Sequence, residues 1–150
     1  MNSPNQIGEY VEDILQTCRL AVLATEAHGQ PHASLIAITP VRSIWQLVFA
    51  TYRNTQKFDN ILHNRRVAVL IQGEDFDSSG QKKGFAITAF GLAQEVAITE
   101  KDEAVHAHLE RHPDLLNFLQ AADVAIIRIK IERFQVVRGI DEIAWLKADD

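Results

Sequence analysis

A single cysteine among 150 residues rules out an internal disulfide. Cys18 falls in register with the apolar stripe of the first helical pattern, so it reads as a buried, inert thiol and not as a nucleophile. Basic residues are not in excess: 15 Lys and Arg stand against 20 Asp and Glu, for a net charge of −5. Nucleic acid and anionic membrane surfaces both need a basic footprint, so neither is an expected partner. No apolar run approaches the ~20 residues that cross a bilayer, and the first residues lack the basic and apolar regions of a signal peptide. Cytoplasmic residence is the expectation. Internal repeats and low-complexity tracts are absent as well. What remains is an ordinary globular composition, 47% hydrophobic and 23% charged. It fits one domain over residues 1–150 that buries ~70% of its unfolded surface around a single core.

Ser3-Pro4-Asn5-Gln6 has the form of a capping box with proline at the first helical position. Ile7, Tyr10, Val11, Ile14, Leu15 and Cys18 follow at helical spacing and form one apolar face. Leu20 to Thr25 reads as a strand, Ala27 to Gln30 as a turn, and His32 to Thr39 as the returning strand. Pro40 to Ser43 turns the chain again before Ile44 to Tyr52. Three strands with short connections predict an antiparallel meander. Arg66 to Ile71 is a continuous apolar run, expected to be covered on both faces. Gly73 to Lys83 is polar and rich in Gly and Ser, and reads as a mobile loop. Gly84 to Ile98 is a long strand with a bulge expected at Gly91. Thr99 caps a helix to His112, and Pro113 starts a shorter helical stretch. Val124 to Arg138 is a second long strand whose face pattern shifts phase at Glu132-Arg133, and Ile143 to Leu146 is a last short one. Six or seven strands, two of them long and bent, predict a closed or partly open barrel.

The most informative stretch is VFATYRNTQKFDNILHNRRVAVLI, from Val48 to Ile71. Its period changes from 2 to 3.6 at Asn54-Thr55, and either residue suits an N-cap. Thr51, Arg53, Thr55 and Lys57 therefore cluster where the free N–H groups of a new helix open. Hydroxyls, two cations and a helix N-terminus at a strand end form a site suited to a phosphate. Residues 51–66 carry four basic side chains against Asp59 alone, a local charge of +3, which leaves −8 over the rest of the chain. The other reading of the same stretch is a well-capped surface helix with a solvated basic face.

In order, LAVLAT, HGQPHASLIAI, LVFATYRNTQKFDNILHNRRVAVLI and FGLAQEV resemble the pyridoxamine 5'-phosphate oxidase-like family of FMN-binding split barrels. The resemblance covers about residues 18–98, and the tail ending in Ile143-Ala144-Trp145-Leu146 is similar to small bacterial members. It implies a mainly β (α+β) fold, a six-stranded antiparallel split barrel with peripheral helices. It also implies a homodimer with FMN sites at the subunit interface and a small-molecule substrate or electron donor. The family's phosphate ligands fall on Thr51, Thr55 and Lys57, with Ala50, Arg53 and Gln56 beside them. Its flavin wall falls on Ala33 to Ile38, which brings in Ser34, Leu35 and Ile36.

The departures from the family are specific. Gln56 stands where the vitamin B6 oxidases place an Arg, and Ser34 and Thr39 stand where they use Arg and Lys. Missing cations imply weaker FMN binding. The segment that grips pyridoxal phosphate is not visible, so the family's activity does not transfer. The resulting expectation is a flavin-dependent oxidoreductase of unknown substrate. The alternatives are a haem-binding or haem-degrading split barrel and a non-catalytic flavin-binding or scaffold protein; the residues do not separate FMN from deazaflavin. No catalytic residue stands out, and His32 reads as a strand-end surface residue.

Two metal patterns fail on geometry. Asp75, Asp77, Ser79 and Gly80 reproduce half of a calcium loop, but its twelfth position is Ala86. His106 and His108 sit ~200° apart on a helix, so only His108 and His112 share a side, which reads as a surface helix with scattered histidines. Trp45 and Trp145 are expected in the barrel core or at a dimer interface.

Overall fold

A computed structural model describes residues 3–149. The chain opens with helix α1 (Pro4–Thr17), capped reciprocally by Ser3 and Gln6 at 3.2 Å each way. Its buried stripe of Ile7, Val11 and Leu15 joins the main core. Strands β1 (Leu20–Ala27), β2 (Gln30–Ala37), β3 (Thr39–Val41) and β4 (Ser43–Tyr52) come next, followed by helix α2 (Gln56–His63). Strands β5 (Arg66–Phe76) and β6 (Lys82–Glu95) form a long hairpin. Helix α3 (Ile98–Arg111), a single 3₁₀ turn and α4 (Leu116–Leu119) lead to β7 (Val124–Arg138) and β8 (Glu142–Lys147).

All pairings are antiparallel, in the order β2-β1-β5-β6-β7-β4-β3, with β8 also on β7. β2 comes back beside β4 without a ladder between them, which makes the sheet a split barrel with peripheral helices. The expected fold class is the observed one, with short β3 and β8 bringing the strands to eight. Among the described residues, no helix is long and apolar enough to cross a membrane.

The predicted meander is replaced by a crossover. β2 ends at Ala37, and the residues after it form β3, which pairs with β4 through Thr39↔Val48 and Pro40↔Leu47. Arg42, at φ 71°, makes the tight return. β3 thus occupies the edge of β4 that β2 was expected to fill, while the other edge pairs with β7 from Gln46↔Lys130 to Tyr52↔Val124. The polar stretch after Gly73 is also paired rather than mobile, because β5 and β6 continue to Phe76↔Lys82. The Asp77 carboxylate closes the turn, accepting from Ser79 N at 3.0 Å, Ser79 Oγ at 2.6 Å and Gln81 N at 3.0 Å. In β5, Val67, Val69 and Ile71 face the core, while Ala68 and Leu70 are half-buried, so the strand is fully covered on one face only.

The two expected bulges are one irregularity. Phe90 pairs with Arg133 and Gly91 with Ile131, which leaves Glu132 as the extra residue. A Cβ on Gly91 would lie 2.3 Å from the Lys130 carbonyl oxygen, so the strands cross here at a distance only glycine permits. At the same point β7 changes partners, from β4 on its first half to β8 on its second.

Helix α3 begins at Ile98 with Ala97 as an N-cap that offers no side-chain bond, so Thr99 lies inside the helix. The expected surface histidines are a second difference. Only His106 is exposed; His108 and His112 are 1% and 2% exposed, with rings 4.7 Å apart. His108 Nδ1 bonds Thr39 Oγ1 at 2.8 Å, and His112 Nε2 bonds the Ile38 carbonyl at 2.8 Å. Arg111 caps the end of α1 by donating to the Leu15 and Cys18 carbonyls. α3 is thereby tied to both β3 and α1. Cys18 is half-buried, and burial pushes its thiol pKa up.

Two stability measurements follow from this packing. Gly91→Ala is expected to cost more than ~2 kcal/mol in urea unfolding. Gly84→Ala, whose Cβ would meet the Gly73 carbonyl at an ordinary 3.9 Å, is expected to cost less than ~1 kcal/mol. Equal costs would contradict the close crossing. Burial, then His112 and Arg111, pushes His108 from its ordinary 6.5 down to about 4. The unfolded chain therefore binds the extra proton first, and stability falls as pH drops from about 6.5 to about 4, by up to ~3 kcal/mol. His108→Gln should flatten that part of the profile.

Candidate functional site

β4 delivers Thr51 to the interior, 2% exposed, and then has to turn. The turn is closed by hydroxyls on one carbonyl: Thr51 Oγ1 donates to the Tyr52 oxygen at 3.1 Å and Thr55 Oγ1 at 2.9 Å, with the two hydroxyls 2.9 Å apart. Thr55, at φ −106° and ψ 156°, is the N-cap of α2 and accepts from Phe58 N at 3.3 Å. Asn54, the alternative cap, is exposed. The Gln56 and Lys57 N–H groups have no hydrogen-bond partner among the described residues, as first-turn amides do not.

The cations are disposed differently from their count. Arg53 closes a bidentate pair on Glu95 at 2.7 and 2.6 Å and lies over the Phe58 ring at 5.5 Å. Arg53 in turn holds the Glu95 carboxyl below the usual carboxylate range. Gln56 is turned back along its own helix, donating to Asn60 Oδ1 at 2.7 Å, and Asn60 donates to Thr25 Oγ1 on β1 at 3.0 Å. Lys57 is half-buried and has no ion pair or hydrogen bond among the described residues. Of the predicted cluster, then, the Thr51 and Thr55 hydroxyls come together at the helix start and Lys57 lies in the first turn of α2, while Arg53 and Gln56 are committed to other partners.

The second strand divides by its period of two. Ser34 and Ile36 face inward, with Ile36 in the core and Ser34 Oγ buried without a partner. Leu35 faces outward, 65% exposed. His32, expected at the surface, is half-buried, and its Nδ1 is also buried without a partner. Ala50 faces away from Thr51 and packs with Val48 and Ile126 in the smaller core under α3. Two residues escaped sequence reasoning. Glu95 is 42 residues from Arg53, and nothing local announces their pairing. Asn60 stands four residues after Gln56, a spacing that brings side chains together on a helix and could have flagged it.

Releasing Arg53 should strengthen anion binding at this junction. Glu95→Gln is expected to tighten inorganic pyrophosphate binding several-fold by calorimetry. Unchanged affinity would show that Arg53 cannot reach the anion.

Comparison with known proteins agrees with the fold. The family described as Pyridoxamine 5'-phosphate oxidase matches residues 7–138. A Schizosaccharomyces pombe protein described as a pyridoxamine 5'-phosphate oxidase homolog is 24% identical over 166 aligned positions, covering 91% of this chain and 87% of the relative. The structure of a haem-binding protein from Mycobacterium smegmatis superposes with a TM-score of 0.82 at 19% identity. That match covers 98% of this chain, which spans 59% of the mycobacterial one. A FAD-binding protein from Mesorhizobium loti superposes with a TM-score of 0.69 at 19% identity, covering 87% and 94% of the two chains. With its profile matched over most of its length and its strands in the same split barrel, this chain belongs to the pyridoxamine 5'-phosphate oxidase family.

Proposed function

We propose that residues 1–150 form a single FMN-binding domain that works as a cytoplasmic, homodimeric, flavin-dependent oxidoreductase on a small-molecule substrate or electron donor. The observation that carries this reading is the β4–α2 junction, where an uncommitted Lys57 and two free amides adjoin the Thr51–Thr55 hydroxyl pair. The buried, unpartnered Ser34 Oγ is the test of fit, since a buried hydroxyl without a partner is rare and a polar ligand would supply one. In this reading Lys57 and the α2 amides hold the phosphate, Thr55 turns its hydroxyl from the Tyr52 carbonyl to the ligand on binding, and Ser34 bonds a polar atom of the same molecule. The backbone of β2 supports the ring. Bound FMN supplies hydride and single-electron transfer at its ring. The protein's own part is to fix the phosphate and shield one ring face.

The dimer is supported by an open sheet face. Leu35, Val22, Leu70, Thr88, Gln135 and Trp145 lie in one cross-strand row over six strands. The row ends in Leu35 at 65% and Trp145 at 46% exposure. Four of the six side chains are apolar, and exposed apolar residues grouped on one sheet face are characteristic of an association surface. Leu35 would then meet the second subunit and not the interior.

A haem reading has its own support in the mycobacterial neighbour's name and in His32, the half-buried imidazole on β2 with a free ring nitrogen. Spectroscopy separates the two. FMN added to the purified protein should show saturable quenching of flavin fluorescence. Lys57→Ala should weaken it by about tenfold or more, and Lys147→Ala should not. Absent or equal binding would contradict the site, and a haem titration giving a Soret shift lost in His32→Ala would replace flavin by haem.

A further inference from the structure

The bulge that makes β7 change partners also opens a cleft. β4 leaves β7 beyond Gln46↔Lys130, β8 starts its pairing at Arg133↔Lys147, and Ile131 and Glu132 lie between them. Into this gap opens a cavity of about 570 Å³, whose lining includes Trp45, Gln46, Arg128, Lys130, Ile131 and Asp149. It is large enough for a small organic molecule. It lies at the opposite end of β4 from Thr51, about 17 Å from Gln46 along the strand, so it is separate from the junction described above.

The lining has a consistent chemistry. Ile131, 1% exposed, belongs to the core behind the cavity, so the Trp45 ring is the apolar surface that a ligand reaches. Trp45 is half-buried and braced by Phe134, with ring centroids 5.2 Å apart. The Trp45 indole N–H, the Gln46 side-chain amide and the Lys130 ammonium have no hydrogen-bond partner among the described residues. Arg128 is already paired with Glu100 at 2.7 Å. Three unpartnered donors beside the half-buried Trp45 ring match a molecule with acceptors at one end and a flat apolar body at the other. Asp149 is the one acid in the lining, exposed, against the cations of Lys130 and Arg128. We propose that this cleft is a second ligand site, for an aryl carboxylate whose acid group meets Lys130 and Gln46 and whose ring lies on Trp45.

The test uses the full chain carrying Trp145→Phe, so that emission comes from Trp45 alone. Titration with 3-phenylpropionate should give a saturable change in that emission. Lys130→Met keeps the apolar stem and should weaken binding about tenfold, as should replacing the probe by neutral 3-phenylpropionamide. Lys57→Ala should leave the curve unchanged. No saturable change, equal affinity in Lys130→Met, equal affinity for the amide, or loss of binding in Lys57→Ala would each overturn the proposal.

Discussion

One carbonyl organises the candidate site. The Tyr52 oxygen receives both the Thr51 and the Thr55 hydroxyls, so the residue that ends β4 and the residue that caps α2 are fixed to the same point. Everything at the junction depends on this tie. It sets the angle at which α2 leaves the sheet and therefore where its free amides point. Farther along, Asn60 bonds Thr25, while Phe58 and Ile61 join the core, so the helix is held at both its polar and apolar contacts. A preorganised bed of this kind loses little entropy on binding.

The charge arrangement then decides what the bed can hold. The stretch from 51 to 66 has a net charge of +3, yet at the helix start that excess reduces to Lys57. Arg53 is neutralised in place by Glu95, and Gln56, uncharged, is engaged by Asn60. An anion here would meet two backbone amides with the Lys57 ammonium one residue into the helix, while the Thr51 and Thr55 hydroxyl protons are engaged by the Tyr52 carbonyl. This donor set suits a phosphate ester, and its modest charge accounts for the weaker binding that the departures from the family imply. In the proposed reading the unpartnered oxygen of Ser34 on β2 would give the same ligand a second anchor.

Much of this was legible in the sequence because the signals were local. The capping box at Ser3, the change of period at Thr55 and the glycine at 91 each specify their own geometry, and each is where the pattern placed it. What was not legible depended on distant partners. The meander failed because β3 takes one edge of β4 and β7, more than 70 residues later, takes the other, which leaves β2 paired with β1. His108 and His112 looked like surface residues until β3 brought Thr39 and the Ile38 carbonyl to them. The Gly- and Ser-rich stretch looked mobile because its composition hides an Asp77-centred turn that lets two strands continue. Counting cations overstated the site for the same reason, since Glu95 lies on another strand.

The central claim is that a flavin's phosphate lies on the β4–α2 junction. Amide chemical-shift mapping of ¹⁵N-labelled protein during addition of FMN tests it most directly. The account predicts that the largest shifts fall on Thr55 to Phe58, with a second group on β2 around Ser34. Shifts that leave these amides unmoved and collect elsewhere on the barrel would contradict it.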